Sequence, residues 1–325
     1  MAALLVEDLS VSIATPRGTL HAVRGVSFTV ERGRTLCLVG ESGCGKSMTA
    51  LSLMGLLPRA ASRTVGRMIV AGYDVSSDPG RMKRLRGDRI AMIFQEPMTA
   101  LNPSYTIGDQ LMEVHRRHKH SSRAQARARA VELLEKVGIS SAERRLSQYP
   151  HQLSGGLRQR VMIAMALMCE PDILVADEPT TALDVTIQVQ ILRLLANLKA
   201  ELGIALVLIT HDLGIVARIA DEVAVMYAGE IVERAPAKTL FAHPRHPYTR
   251  GLIAAIPVRG RTAAGSHLGV IPGSVPSLIG PHEGCAFRAR CGFAEPRCAA
   301  PIPLMRDGAH EWRCVLAAPA FAERA

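Results

Sequence analysis

The chain has 325 residues, with 39 Lys+Arg against 29 Asp+Glu, a formal net charge of +10, 48% hydrophobic and 21% charged residues. That apolar content excludes an intrinsically disordered chain and provides a core for one large domain or two smaller ones. No apolar run approaches the ~18–20 residues that span a bilayer, and Met1–Ser10, with Glu7 and Asp8 and no basic segment, does not read as a signal peptide.

A cytoplasmic protein with reduced cysteines is expected. The positive balance leaves nucleic acid, an anionic membrane surface or phosphate ligands as partners. Residues 4–39 alternate like strands: Val26, Phe28 and Val30 share one parity, and Leu36, Leu38 and Val39 run into Gly40. A helix is predicted from Lys46 to about Leu57, stopped by Pro58. Residues 65–75 and 90–94 again read as strands. From about Ile107 to Arg145 the pattern is helical, polar and basic. Residues 157–169 form an apolar helix closed by Pro171, and Ile173–Ala176 is a short buried strand. Ile187, Ile191, Leu194, Leu195, Leu198 and Leu202 recur at helical spacing, and Ala205–Thr210 is another buried strand. Strands separated by helices predict an α/β domain with a parallel sheet. After Glu233, prolines at 236, 244, 247, 257, 272, 276 and 281 punctuate a loop-rich appendage.

Two elements point to phosphate chemistry. Gly40–Ser47 reads GESGCGKS and fits GxxxxGK[ST], between an apolar strand and a helix. Gly40, Ser42, Gly43, Cys44 and Gly45, with Lys46, Ser47 and Met48 opening the helix, form the candidate cradle. Backbone N–H groups and the helix N-terminus would hold phosphates, Lys46 would meet the β- and γ-phosphates, and Ser47 would ligate Mg²⁺. The second element is Asp177-Glu178 at the carboxyl end of a buried strand, where ligands collect in parallel sheets. Asp177 would hold Mg²⁺ and Glu178 would orient the attacking water.

Leu153–Arg160 reads LSGGLRQR, which resembles the signature motif of ATP-binding cassette (ABC) ATPases. The resemblance implies that Ser154, Gly155 and Gly156 meet the γ-phosphate held by an opposite subunit, so that hydrolysis needs two cassettes, head to tail. Gln95 in IFQEP resembles the glutamine that senses Mg²⁺ and the transporter. Asp184 in Ala182-Leu183-Asp184 resembles a dimer-interface aspartate, and His211 the switch histidine on the γ-phosphate.

The stretches IAMIFQEPMTALNP (Ile90–Pro103), YPHQLSGGLRQR (Tyr149–Arg160), VADEPTTALDVTIQVQ (Val175–Gln190) and HPRHPY (His243–Tyr248) narrow the match. Together with Ile271-Pro272-Gly273 before a cysteine-containing tail, they resemble ATPase subunits of bacterial oligopeptide/dipeptide (and nickel) importers over essentially the whole chain.

The resemblance implies a P-loop NTPase fold of ABC type: a RecA-like core, an antiparallel β subdomain and a helical subdomain at about 96–160. These occupy a cassette at 1–240, followed by a small loop-rich extension at 241–325. It implies ATP and Mg²⁺ as ligands and hydrolysis driving import of short peptides. Nickel or another solute is the alternative, and a nucleic-acid or ribosome ATPase the competing class. Expected partners are two transmembrane permease subunits, a second ATPase subunit (a paralogue, with another copy of this chain as the alternative) and, indirectly, an extracytoplasmic binding protein, with no nucleic acid. The expected location is the cytoplasmic face of the membrane. Positive charge clusters at Arg81–Arg89 and His115–Ala130, and the placement of the densest run in the helical insertion suits permease loops and an anionic leaflet better than nucleic acid.

Three positions depart from the family pattern. Ile13 stands where an adenine-stacking aromatic is expected, forfeiting roughly 0.5–1.5 kcal/mol of π contact. Leu157 replaces a more usual Met. Cys44, at a variable loop position, reads as a small tolerated residue, with a reactive thiol as the alternative.

Four of the seven cysteines, Cys285, Cys291, Cys298 and Cys314, fall in one stretch among Arg288, Arg290, Arg297 and Arg313. No Cys-x2-Cys pair occurs, which disfavours a zinc ribbon, and the compartment disfavours disulfides. Some members of the resembled family carry an iron–sulfur cluster in this tail, and four thiolates suit [4Fe–4S] ligation. Zinc and free buried thiols remain the alternatives.

Overall fold

The structure is a computed structural model that describes residues 2–96, 100–181, 183–256 and 269–316. Pro97, Ala182 and Pro257 of the sequence reading lie outside the described residues. In chain order the first elements are β1 (Ala2–Thr15), β2 (Gly18–Glu31), β3 (Thr35–Val39), α1 (Lys46–Met54), β4 (Ala61–Thr64), β5 (Arg67–Val70), β6 (Tyr73–Asp74), α2 (Pro79–Leu85) and β7 (Ile90–Ile93). Next come α3 (Ile107–Lys119), α4 (Arg123–Lys136), α5 (Ala142–Arg145), α6 (Gly155–Leu167), β8 (Ile173–Asp177), α7 (Val185–Leu202), β9 (Ala205–Thr210) and α8 (Leu213–Ile219). The chain continues through β10 (Glu222–Tyr227), β11 (Glu230–Pro236), α9 (Ala237–Ala242), α10 (Pro247–Ala254), β12 (Met305–Asp307) and β13 (His310–Trp312). It divides into two compact units: Met1–Leu5, Thr29–Thr35 and Arg67–Ile209, and Val6–Phe28, Leu36–Gly66 and Thr210–Ala325.

In the first unit β7, β8 and β9 pair in parallel, Ile90 opposite Ile173 and Ile173 opposite Ala205. Every residue of β8 and β9 is buried, the pattern of parallel strands covered on both faces. Asp172, just before β8, is a buried carboxylate paired with Arg32 at 2.6 Å and Arg89 at 2.8 Å, which fixes where the strand begins. Two helices of the helical region start with a polar cap: Thr106 accepts from Asp109 N before α3, and Ser122 with Gln125 forms a reciprocal capping box before α4. Apolar faces of α4 (Ala126, Ala130, Leu133, Leu134) and α6 (Val161, Met162, Ile163) are buried.

In the second unit β3 pairs in parallel with β10, Leu36 opposite Glu222, and β10 turns back onto β11. That hairpin is closed by Ala228 and Gly229, both at positive φ (44° and 87°), the twist that two-residue hairpins favour. β11 also pairs with β13, Glu233 opposite Trp312, and β12 pairs with β13. Here the structure goes beyond the sequence reading. The tail is loop-rich but contributes two strands, and β10 and β11 were not anticipated. α1 ends three residues before the predicted Leu57, because Gly55 adopts φ 63° and its N–H caps Leu51 O and Ser52 O before Pro58 is reached.

Candidate functional site

The phosphate loop lies in the second unit, between β3 and α1. Gly40 has φ 153°, and a Cβ there would sit 2.3 Å from Met226 O; Gly45 has φ 106°, and its Cβ would sit 2.4 Å from Ala22 O. Both conflicts are with backbone, so glycine is the residue these two positions accept. Gly45 also stands at the N-cap of α1, without a side-chain cap, so a phosphate can take that role. Lys46 is 4% exposed, and its Nζ donates to Gly40 O at 2.8 Å and Glu41 O at 3.0 Å. The ammonium is thus folded back on its own loop. Ser47 and Met48 follow in the first turn of α1, half-buried, and Ser42 and Gly43 are exposed on the loop. Cys44 is fully buried beneath Gly40, its thiol raised by burial, with the Lys46 ammonium 3.7 Å from its sulfur. Ile13 is half-buried in the β1–β4 ladder opposite Ala61.

His211, the residue after β9, belongs with the phosphate loop to the second unit and is exposed. Its turn is pinned on both sides: Asp212 N donates to Thr210 Oγ1 at 3.1 Å, and the Asp212 carboxylate caps α8 through Gly214 N and Ile215 N.

The carboxylate pair lies in the first unit. Asp177 ends β8, is 4% exposed, and stands opposite Ile209 of β9. Glu178 then takes φ 42°, the left-handed region that a glutamate enters at a cost of about 1–2 kcal/mol. This reverses the chain direction and half-exposes its carboxylate while its N–H remains paired to Ile209 O at 3.0 Å. Non-glycine residues held at such angles cluster at functional sites. Glu178 Oε2 accepts from Thr181 Oγ1 at 2.9 Å and Gln95 Nε2 at 3.3 Å. The structure therefore brings Gln95 and Glu178 together, 83 positions apart in sequence. Thr181 was missed by the sequence reading; its signal was its place three residues after Glu178, one turn on.

Ser154 stands at the N-cap of α6 without bonding back to its own helix, leaving that end open for an external anion. Gly156 allows close packing there: a Cβ would meet Ile187 Cγ2 at 3.1 Å. Gly155 and Ser154 are exposed. Asp184, the interface candidate, is exposed and caps α7 through Ile187 N at 2.9 Å.

In the C-terminal tail the four cysteines are free thiols. Cys285 N donates to Cys298 O at 2.9 Å. Burial pushes Cys285 and Cys314 up to about 11 and raises Cys291, and the neighbouring thiols add to each shift. Among the described residues, however, no group of three or more His, Cys, Asp or Glu side chains is placed to hold a metal ion. The four sulfurs are electrostatic neighbours without forming a closed ligand set.

The family model for ABC transporters matches residues 23–181, and that for the oligopeptide/dipeptide transporter C-terminal region matches residues 232–298. The dipeptide transport ATP-binding protein DppD of Bacillus subtilis is 50% identical over 96% of this chain and 94% of its own. The oligopeptide transport ATP-binding protein OppD of Salmonella typhimurium is 48% identical over 93% of this chain and 89% of its own. Among solved structures, the dimeric post-hydrolysis state of the ATP-binding cassette MJ0796 bound to ADP and Pi superposes with a TM-score of 0.64 at 27% identity, covering 72% of this chain and 98% of that one. CbiO1 from Clostridium perfringens superposes at 0.62 with 29% identity, covering 74% of this chain and 91% of that one. The fold is that of an ABC ATPase nucleotide-binding domain, and the chain belongs to the ATP-binding proteins of ABC transporters, with the C-terminal region of the oligopeptide/dipeptide branch.

Proposed function

We propose that this chain is the ATP-hydrolysing subunit of an importer for di- or oligopeptides, docked on two transmembrane permease subunits at the cytoplasmic face of the membrane. A second ATPase subunit completes each nucleotide site. The observation that carries the reading is the joint presence of an intact phosphate loop, a restrained Glu178 and the C-terminal region matched at 232–298. Among the described residues no helix is long and apolar enough to cross a membrane, which fits a subunit that borrows its membrane path from partners.

The chemistry follows from the side chains. Lys46 exchanges its two carbonyl partners for the β- and γ-phosphates. Ser47, Asp177 and Gln95 would hold Mg²⁺, which neutralises phosphate charge when bound. Glu178, oriented by Thr181 and Gln95, takes the proton of the attacking water. His211 meets the γ-phosphate, and Ser154, Gly155 and Gly156 close over the nucleotide of the opposite subunit, with Asp184 at the interface. Ile13 contributes apolar packing to the adenine. The cassette is assigned to 1–240, its helical subdomain to about 96–160, and the extension to 241–325.

The tail offers a second reading of its own. Four free thiols, buried at Cys298 and Cys314 and half-buried at Cys285 and Cys291, gather in one stretch of the tail, and a [4Fe–4S] cluster is the proposed occupant, although the side chains as placed do not form its ligand set. Anaerobically purified protein is expected to contain iron and sulfide in equal amounts; colourless, iron-free protein overturns this.

The import reading is tested by deleting the chain from its cell and measuring uptake of labelled dipeptides and longer peptides. Uptake is expected to stop, and affinity-tagged protein to bring two permease subunits with it. Unchanged uptake of every peptide, with nickel or another solute lost instead, overturns the substrate assignment.

A further inference from the structure

Glu41 follows Gly40 at the mouth of the phosphate loop, a position the loop pattern leaves open. In this chain its N–H, carbonyl and carboxylate are all anchored. Its N–H donates to Tyr248 Oη at 2.9 Å. Its carbonyl accepts from Lys46 Nζ at 3.0 Å and from Cys44 N at 3.3 Å. Its carboxylate receives both arms of the Arg290 guanidinium, Nη1 to Oε1 at 3.0 Å and Nη2 to Oε2 at 2.9 Å. This is the forked geometry that makes arginine–carboxylate pairs both strong and directional.

Arg290 is not a roaming surface side chain. Its side chain is 7% exposed, and its remaining donors are committed before it reaches the loop. Nε donates to Pro272 O at 2.7 Å, Nη2 to Ile271 O and Gly273 O at 3.2 Å, and Nη1 to Tyr227 Oη at 3.4 Å. The aromatic rings beside it form one packed group. Tyr227 lies 4.7 Å from Tyr248 and 5.2 Å from Phe287, and Tyr248 lies 5.3 Å from Phe287. The guanidinium carbon stands 5.8 Å from the Tyr227 centroid. Tyr248 belongs to the HPRHPY segment and Arg290 to the turn between Cys285 and Cys291, so two separate pieces of the extension grip one residue of the loop.

The physical consequence concerns preorganisation. The Glu41 carbonyl is what Lys46 must release to reach a phosphate, and the Glu41–Cys44 turn carries the N–H groups that wrap it. A loop held in its bound shape loses less entropy on binding than a loose one. Removing Arg290 leaves the Glu41 carboxylate, 30% exposed, without its counter-charge inside the loop itself.

We propose that Arg290, together with Tyr248, is a positioning residue of the nucleotide site, fixing Glu41 so that nucleotide affinity depends on the C-terminal extension. The proposal rests on reading Gly40–Ser47 as the nucleotide loop. It is tested by equilibrium titration of the full chain with a non-hydrolysable ATP analogue and Mg²⁺. Arg290→Ala and Glu41→Ala are each expected to weaken binding about tenfold, and Tyr248→Phe, which keeps the ring, about threefold. The double variant E41A/R290A should be no weaker than the worse single, since both remove one interaction. Arg290→Lys keeps the charge but not the fork and should recover only part of the loss.

Arg245→Ala is the control. Arg245 lies over Trp312 and pairs with Asp307 in the same extension without touching the loop, so its loss should leave affinity unchanged. Unchanged affinity in Tyr248→Phe and in folded Arg290→Ala, additive losses in the double variant, or an equal loss in Arg245→Ala would overturn the proposal. Lys46→Ala separates this from the underlying reading. If it binds as well as the parent, the loop is not the nucleotide site; if it alone loses binding, only the positioning role fails.

Discussion

In the phosphate loop, apart from the grip of Tyr248 and Arg290 on Glu41, contacts that set the shape are mostly local. Lys46 reaches carbonyls five and six residues back, and Gly40 and Gly45 take angles that only their own lack of a side chain permits. In the C-terminal extension the corresponding contacts are long-range. Glu233, fully buried, accepts from Arg245 N at 2.6 Å and His246 N at 2.8 Å, and lies 2.7 Å from His310 Nε2, 77 positions away. The first region is specified by a short run of residue types. The second depends on distant groups finding one another, with few apolar side chains to enforce it.

The sharpest way to break this contrast is Gly45→Ala. The left-handed angle and the 2.4 Å approach to Ala22 O together should cost about 4 kcal/mol and reduce affinity for Mg-ATP by more than about a hundredfold in a binding titration. Gly203→Ala shares the positive φ but meets nothing within 4 Å, so its cost should stay near 1 kcal/mol and nucleotide affinity should not change.

The extension responds to pH instead. His246 is completely buried, and burial pushes it down to about 4, with Glu233 partly offsetting that. A histidine with a native pKa below its unfolded value of 6.5 binds fewer protons folded than unfolded. Its stabilisation is complete above pH 6.5 and falls away as pH drops toward 4. His246→Asn keeps an acceptor for Tyr248 N but cannot titrate. In denaturant unfolding between pH 7 and 4, the parent should therefore lose about 3 kcal/mol more than the variant. Equal pH slopes would show that His246 is not held neutral.

The smallest effect is expected at Cys44. Its thiol is buried and raised, so native protein should keep ATP binding through alkylation, and Cys44→Ala should cost about 1 kcal/mol with affinity unchanged within about threefold. Rapid alkylation that blocks binding would contradict the packing role.

What could be read in advance follows the same division. β8, β9 and α7 were legible because buried parallel strands are unbroken apolar runs and α7 repeats leucine and isoleucine at helical spacing. The loop and the Asp177-Glu178 pair were legible because residue types at fixed spacing carry their chemistry. β13 was not: three residues containing His310 and Trp312 become a strand only because Glu233 and Arg234 offer a free edge. The grip on Glu41 was equally hidden, since its partners lie 207 and 249 positions away. The strain at Glu178 has no local signature, because glutamate does not favour positive φ.

The central claim is that Glu178, held by Thr181 and Gln95, orients the water that cleaves ATP. Its direct test is Glu178→Gln in the assembled transporter, with Mg-ATP binding and hydrolysis measured side by side. The account predicts binding retained within about threefold and turnover lowered by at least about a hundredfold. Hydrolysis at the parent rate, or binding lost together with turnover, would contradict it.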